Sequence, residues 1–109
     1  MNAFEFLKLV IDVCVNYSFI TSVEILLLDE PILKVRAIVN ENIFVNVFYN
    51  ASTRKYSYAL IKDGKRIFGY DNLRGWHKHP FEDPNNHLKC DEPTLEDIFK
   101  EVEEIFKGM

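Results

Sequence analysis

Five consecutive runs of β-branched and aromatic residues restrict the fold of this chain more than any other feature. Residues of these types favour strands, and each gap between the runs is too short for a crossover helix, so neighbouring strands should pair antiparallel as a meander. The runs are FITSVEILLL (19–28), ILKVRAIVN (32–40), NIFVNVFYN (42–50), KYSYALIK (55–62) and KRIFGYD (65–71).

The clearest turn signal lies between the fourth and fifth runs, at Asp63-Gly64. Glycine readily takes the positive φ that a two-residue hairpin turn requires, so this dipeptide predicts a tight hairpin. Weaker breaks occur at Glu30-Pro31, at Asn40 to Asn42 and at Asn50 to Arg54, and they separate the remaining strands.

A helix is predicted on each side of the strands. Asn2 with Glu5, and Thr94 with Asp97, stand at the spacing of capping boxes, and Gly108 ends the second helix. Apolar residues recur at helical spacing in both segments, at Phe4, Leu7, Val10, Ile11, Cys14 and Val15, and at Leu95, Ile98, Phe99, Val102, Ile105 and Phe106. The predicted fold is α+β, in the order α-β-β-β-β-β-α, with two helices on a curved, mostly antiparallel five-stranded sheet.

Size and composition indicate one domain over residues 1–109. A chain of 109 residues with 48% hydrophobic content can bury one core. The N-terminal MNAFEFLKLV has no basic region before an apolar run, and no segment approaches the roughly 18 apolar residues of a membrane span. Cys14 and Cys90 do not suggest a disulfide framework. We therefore expect a cytoplasmic protein without membrane association.

The charges are unevenly distributed along the chain. The formal net charge is −4, yet residues 54–89 carry eight basic and four acidic residues, a balance of +4, so the remainder carries −8. A basic segment in an acidic chain can attract a phosphate backbone or an acidic partner. The alternative interpretation is that these charges are solvated strand edges and turns.

Unusual chemistry is concentrated in residues 69–93, which contain all three histidines, the only tryptophan and three of the four prolines. About 20 residues without a strand or helix pattern are uncommon in a compact domain and are usually functional or disordered. Disordered segments lack aromatic residues, whereas Trp76 and Phe81 should anchor this loop to the body. The segment is therefore interpreted as a site.

Two histidines and a carboxylate in this segment suggest acid–base chemistry that needs no cofactor. The i, i+2 spacing of His77 and His79 places both rings on one side of an extended segment, and Asp71 stands where it can orient an imidazole. One neutral and one protonated imidazole suit RNA cleavage by a neighbouring 2′-hydroxyl. The candidate catalytic residues are Asp71, His77 and His79, and the candidate substrate-binding residues are Tyr70, Asn72, Arg74, Lys78 and Lys89. A turn or cap is the alternative role for Asn72.

A zinc site is the second chemistry that the loop could support. His77, His79, His87 and Cys90 offer nitrogen and sulfur ligands in the pattern H-x-H-x7-H-x2-C. The pattern contains no paired C-x2-C and matches no familiar finger, so no metal is predicted and Cys90 is interpreted as a free loop thiol, with zinc as the alternative.

The order of these motifs resembles the TumE-like family of prokaryotic toxin components. The motifs are YSY (56–58), the D-G hairpin, YDN (70–72), HKH (77–79) and the acidic helix LEDIFKEVEEI, and the resemblance covers residues 55–107. It implies a small toxin that acts on RNA and is neutralised by a helix-turn-helix antitoxin, and it selects Asp71, Asn72, His77 and His79. The segment LRGW departs from relatives with another histidine nearby, which leaves the identities of the acid and the base open.

Two functions therefore follow as hypotheses. The first is the toxin of a type II toxin–antitoxin module that acts as a metal-independent endoribonuclease through its loop histidines. The alternative is a noncatalytic module that binds nucleic acid or protein, with or without zinc in the 71–90 loop. An exposed edge strand could also pair two protomers into a homodimer.

Overall fold

A computed structural model describes all residues from 1 to 109, as a single antiparallel sheet flanked by two helices. The seven strands follow each other across the sheet in chain order, so the predicted meander is confirmed. The helices are α1 (Ala3–Cys14) and α2 (Leu95–Lys107), and the strands are β1 (Ser22–Asp29), β2 (Ile32–Asn40), β3 (Ile43–Asn50), β4 (Lys55–Lys62), β5 (Lys65–Asp71), β6 (His77–His79) and β7 (Leu88–Lys89).

The sheet has two more strands than the predicted five, because β6 and β7 continue it beyond β5. Both lie in the segment that was predicted to be a loop. They are only three and two residues long, and they are held by pairing with the preceding strand rather than by local sequence preference. The α+β class is correct, and the predicted strand count was wrong.

The predicted turn and caps are present. Asp63 and Gly64 both take positive φ, 51° and 79°, at the β4–β5 hairpin. Capping boxes close the first turn of both helices, from Asn2 to Glu5 and from Thr94 to Asp97. These local signals are therefore sufficient to fix where the helices begin.

The two helices pack on one face of the sheet, where alternate residues of β2 to β5 form the core with the helix side chains. Helix α2 buries Ile98, Phe99 and Val102, as its apolar spacing predicts. Helix α1 is rotated from the prediction: Ala3 and Phe6 are buried, while Phe4, Ile11 and Val15 are exposed. Phe6 turns inward because its ring packs on Tyr49, with centroids 4.8 Å apart.

The other face of the sheet has no helix on it, and β1 forms one edge. The consecutive side chains of Ile25, Leu26, Leu27 and Leu28 in β1 are all exposed. Neither helix is long and apolar enough to cross a lipid bilayer.

Candidate functional site

Strands β5 and β6 bring the predicted acid and histidines together on the face of the sheet without helices. Asp71 ends β5 and pairs directly with His77, and Gly69 pairs with His79. Directly paired residues project to the same face, and so do residues two apart along a strand. His77 and His79 therefore share one face, as their i, i+2 spacing predicts, and pairing with His77 places Asp71 on the same face.

Asp71 and His79 form a hydrogen-bonded pair on this face, in which His79 is buried. His79 Nε2 lies 2.8 Å from Asp71 Oδ2, and only 2% of His79 is exposed. Because an ionised carboxylate can only accept, Nε2 carries the proton. The Leu73 backbone N–H also donates to Asp71 Oδ1, at 3.2 Å. Burial alone would raise the pKa of Asp71, but the hydrogen bonds from His79 and Leu73 outweigh it and lower that pKa.

His77 lies beside this pair and is partly exposed. Its Nδ1 is 2.8 Å from the carbonyl oxygen of Gly75. A carbonyl only accepts, so Nδ1 donates and the neutral ring carries its proton there. The other nitrogen, Nε2, is then unprotonated and can accept a proton. Gly75 adopts a left-handed backbone conformation, with φ at 83°, and its carbonyl oxygen faces the His77 ring.

His87 completes a cluster of three imidazoles. Its exposed ring meets the His79 ring edge to face, with centroids 4.5 Å apart, and lies 6.2 Å from the His77 ring. The sequence indicated His87 only as a zinc ligand. The only feature of the sequence that indicates a role for His87 in the pocket is its place in the histidine-rich loop. Its position over His79 depends on the turn that the chain makes after β6, which the sequence pattern does not show.

These groups line an open pocket of about 380 Å³ that is rich in cationic and titratable side chains. Asp71 and the three histidines share it with Leu73, Arg66 and Arg74. Arg66 donates from Nη2 to the carbonyl of Pro84, at 3.2 Å, which ties the loop before His87 to β5. Arg74 is exposed, so its guanidinium can bind an anion in the pocket.

The structure brings only part of the predicted binding set to this pocket. Arg74 lines it, and the pairing of Lys89 with His77 places Lys89 on the same face. Asn72 does not line it: its side chain accepts from the Tyr56 N–H at 2.7 Å and donates to the Arg54 carbonyl at 2.9 Å. This arrangement matches the alternative of a turn or cap.

Tyr70 and Lys78 lie on the opposite face, against α2. They pair with each other across β5 and β6, and both contact Glu101: the Tyr70 hydroxyl donates to it, and Lys78 Nζ lies 2.6 Å from its Oε2. Burial, followed by the bond to Glu101, raises the pKa of Tyr70. The structure therefore separates these two residues from the pocket.

The four residues of the zinc alternative are not assembled into a metal site. No group of three or more His, Cys, Asp or Glu side chains has an arrangement that could hold a metal ion. Cys90 lines a different depression, with Tyr70 and Asp97, and burial, aided by the charge of Asp91, raises the pKa of its thiol. A protonated thiol is a poor ligand.

One of the two predicted anchors holds the loop to the body. Trp76 is half-buried and packs on Tyr56, with ring centroids 5.7 Å apart, whereas Phe81 is 45% exposed. The turn around residues 80–87 is held by backbone bonds from Asp83 to Pro80 and from Asn86 to Asp83, and the Arg66–Pro84 bond ties it to β5.

Comparison with known proteins identifies one family for this chain. A family model described as Toxin TumE matches residues 8–106, nearly the whole length of the chain. No curated protein and no solved structure gives a match.

Proposed function

The chain belongs to the TumE toxin family, and we propose that it is the toxin of a type II toxin–antitoxin module and a metal-independent endoribonuclease. Membership of a toxin family implies an antitoxin partner. We propose that this partner carries a helix-turn-helix DNA-binding domain, that the substrate is RNA, and that the protein acts in the cytoplasm.

The observation that supports the nuclease is the pocket in which a partly exposed imidazole lies beside a carboxylate–imidazole pair whose histidine is buried. His77 presents an unprotonated Nε2, and His79 is held by Asp71 at 2.8 Å. Imidazoles exchange protons near neutral pH, and each positioned transfer typically contributes about 10²–10⁴-fold to a rate. Asp71, His77 and His79 are the residues on which activity depends.

The cations around the pocket support a phosphodiester as substrate. Arg74 lines the pocket, and Lys89 lies on the same face. A guanidinium can bind a phosphate through two parallel hydrogen bonds and can stabilise the charge that develops on it during cleavage. The 2′-hydroxyl of RNA supplies the nucleophile, so the reaction needs neither a metal ion nor a bound water.

Cleavage of RNA by the purified protein in the presence of a chelator tests the activity. The wild type should cleave, and a variant with His77→Ala and His79→Ala should lose both cleavage and growth arrest while unfolding as cooperatively as the wild type. Lys100→Ala, an exposed cation on α2 outside the pocket, is the matched control and should stay active. Undiminished cleavage by the double variant, or activity that the chelator abolishes, would contradict the proposal.

A noncatalytic binding module is the second candidate, and the grouping of Arg66, Arg74 and Lys89 near one face favours it. Such a module would bind RNA without cutting it, and its affinity would fall as salt rises, with a slope set by the phosphates contacted. Salt-dependent binding without any cleavage would favour this function over the nuclease.

The partner proposals can be tested separately from catalysis. Co-expression with the product of the adjacent gene should yield a stable complex and relieve growth arrest if that product is the antitoxin. We also propose that two protomers pair through the exposed edge of β1. Sedimentation should then show a dimer that Leu27→Lys converts to a monomer, and a monomeric wild type would refute the homodimer.

A further inference from the structure

Only two of the three histidines in the pocket can exchange a proton with a bound substrate. His79 is 2% exposed, its Nε2 is occupied by Asp71, and its Nδ1 is buried without a hydrogen-bond partner. A group that transfers a proton must come within hydrogen-bond distance of the reacting oxygen. His79 has no accessible ring nitrogen with which to do this.

His77 is fixed in the form that accepts a proton. The Gly75 carbonyl receives its Nδ1–H at 2.8 Å, so the neutral ring must present the lone pair of Nε2. Fixing one nitrogen in this way sets both the tautomer and the orientation of the ring. His77 therefore suits the role of the base, and the acid must come from elsewhere.

His87 is the remaining imidazole, and its ring nitrogens are both available. Neither makes a hydrogen bond within the chain, while the backbone N–H of His87 donates to Asn86 Oδ1 at 2.9 Å. The ring is positioned by its edge-to-face contact with His79, at 4.5 Å, and by the Arg66–Pro84 bond that holds the preceding turn. The ring centroids of His77 and His87 are 6.2 Å apart, which is close enough for a nitrogen of each ring to reach an oxygen of one bound phosphate group.

We propose that His87 is the general acid of this site, with His77 as its base and the scissile phosphate of RNA bound between them; this rests on the proposed nuclease function. His77 Nε2 takes the proton of the 2′-hydroxyl as the 2′-oxygen bonds to phosphorus. The bond from phosphorus to the 5′-oxygen breaks, and protonated His87 gives its proton to that oxygen. The products are a 2′,3′-cyclic phosphate and a 5′-hydroxyl.

Two kinds of substrate distinguish a general acid from any other role of His87. Cleavage of a dinucleotide expels a 5′-alkoxide, a poor leaving group that needs a proton. Cleavage of a nucleoside 3′-(4-nitrophenyl phosphate) expels 4-nitrophenolate, which is stable without one. The four nucleosides in each series cover base preference. Wild type, His77→Ala, His87→Ala and His87→Gln are compared on both series, with Lys100→Ala as the control.

His87→Ala and His87→Gln should lose about 10²–10⁴-fold on dinucleotides but stay within about tenfold of the wild type on the nitrophenyl esters. His77→Ala should lose about 10²–10⁴-fold on both, because each substrate needs the base. Because His87 is exposed, its replacement should leave the unfolding transition unchanged. Equal losses of the His87 variants on both series, or no loss, would overturn the assignment while leaving the nuclease intact. A wild type that cleaves neither series would overturn both.

Discussion

Both faces of β5 and β6 carry polar, titratable side chains, but these side chains have different hydrogen-bond partners on the two faces. Tyr70 is adjacent to Asp71 in the chain, and Lys78 lies between His77 and His79. Because side chains alternate along a strand, Tyr70 and Lys78 nevertheless project to the helix face. Asp71, His77 and His79 project to the open face. On the helix face, Tyr70 and Lys78 are both bound by Glu101 of α2. On the open face, Asp71 fixes His79, while Nε2 of His77 remains available to solvent.

We infer from this difference that hydrogen-bond partners, rather than residue type, distinguish the scaffold from the candidate site in this sheet. A polar group whose hydrogen bonds are satisfied within the chain contributes to stability, whereas one with an unsatisfied nitrogen or guanidinium in a pocket can act on a ligand. Substitutions on the helix face should therefore change the free energy of unfolding, and substitutions on the open face should change the rate of RNA cleavage.

Of the substitutions that compare the two faces, Asp71→Asn should have the largest effect on activity. The change leaves His79, on which the His87 ring packs, without the carboxylate that orients it, so we expect kcat to fall by about 10²-fold, the lower end of what a positioned catalytic imidazole contributes. KM should stay within about threefold or fall, because the variant lacks a negative charge beside an anionic substrate. Asp91→Asn, an exposed carboxylate outside this pocket, is the control. A raised KM with unchanged kcat would indicate a structural role only.

Phe68→Ala tests the helix face of the same strand. Phe68 is 1% exposed and lies in the core, so truncation should lower the free energy of unfolding by about 3–5 kcal/mol. Urea denaturation measures this loss. Cleavage per folded molecule, assayed well below the melting temperature, should remain near that of the wild type, and a catalytic loss as large as that of Asp71→Asn would break the division between the faces.

Tyr70→Phe removes one hydroxyl from the same face. Glu101 keeps Lys78 at 2.6 Å, so the carboxylate does not lose all its partners, and the cost should be about 0.5–1.5 kcal/mol. Tyr17→Phe, whose exposed hydroxyl makes only longer bonds to Glu96, is the matched control and should cost less. The sequence predicts a substrate-binding role for Tyr70, and a rise in KM of about tenfold would restore that role.

The smallest effect concerns the dependence of stability on pH. The folded-state pKa of Asp71 lies below its ordinary value of 3.8, so its stabilisation is present above that value and is lost as pH falls through the folded-state pKa. Urea midpoints measured from about pH 5 downward should fall less steeply in Asp71→Asn than in the wild type. Identical slopes would show that the carboxylate contributes nothing in the folded state.

Most of the fold could be predicted because its signals are local. Period-two patterns, the Asp63-Gly64 turn and the capping boxes act within a few residues, and five strands and two helices follow from them. The inward position of Phe6 could not be predicted from α1 alone, because it depends on the distant ring of Tyr49. Strands β6 and β7 were missed for the same reason, since pairing with β5 stabilises them.

The arrangement of the candidate site was predictable where it depends on alternation along a strand. The common face of His77 and His79 follows from their spacing, and applying the same rule to Lys78 and Tyr70 would have placed them on the other face. The position of His87 over His79 has no local signal, because it depends on where the chain returns after the turn.

Identification of the RNA ends produced in the presence of a chelator tests the central claim most directly. If the pocket around His77 performs 2′-hydroxyl attack, the wild type should leave 2′,3′-cyclic phosphate and 5′-hydroxyl ends, and His77→Ala should form them about 10²–10⁴-fold more slowly. Ends that carry a 5′-phosphate, or cyclic phosphate ends that His77→Ala forms at the wild-type rate, would contradict this account.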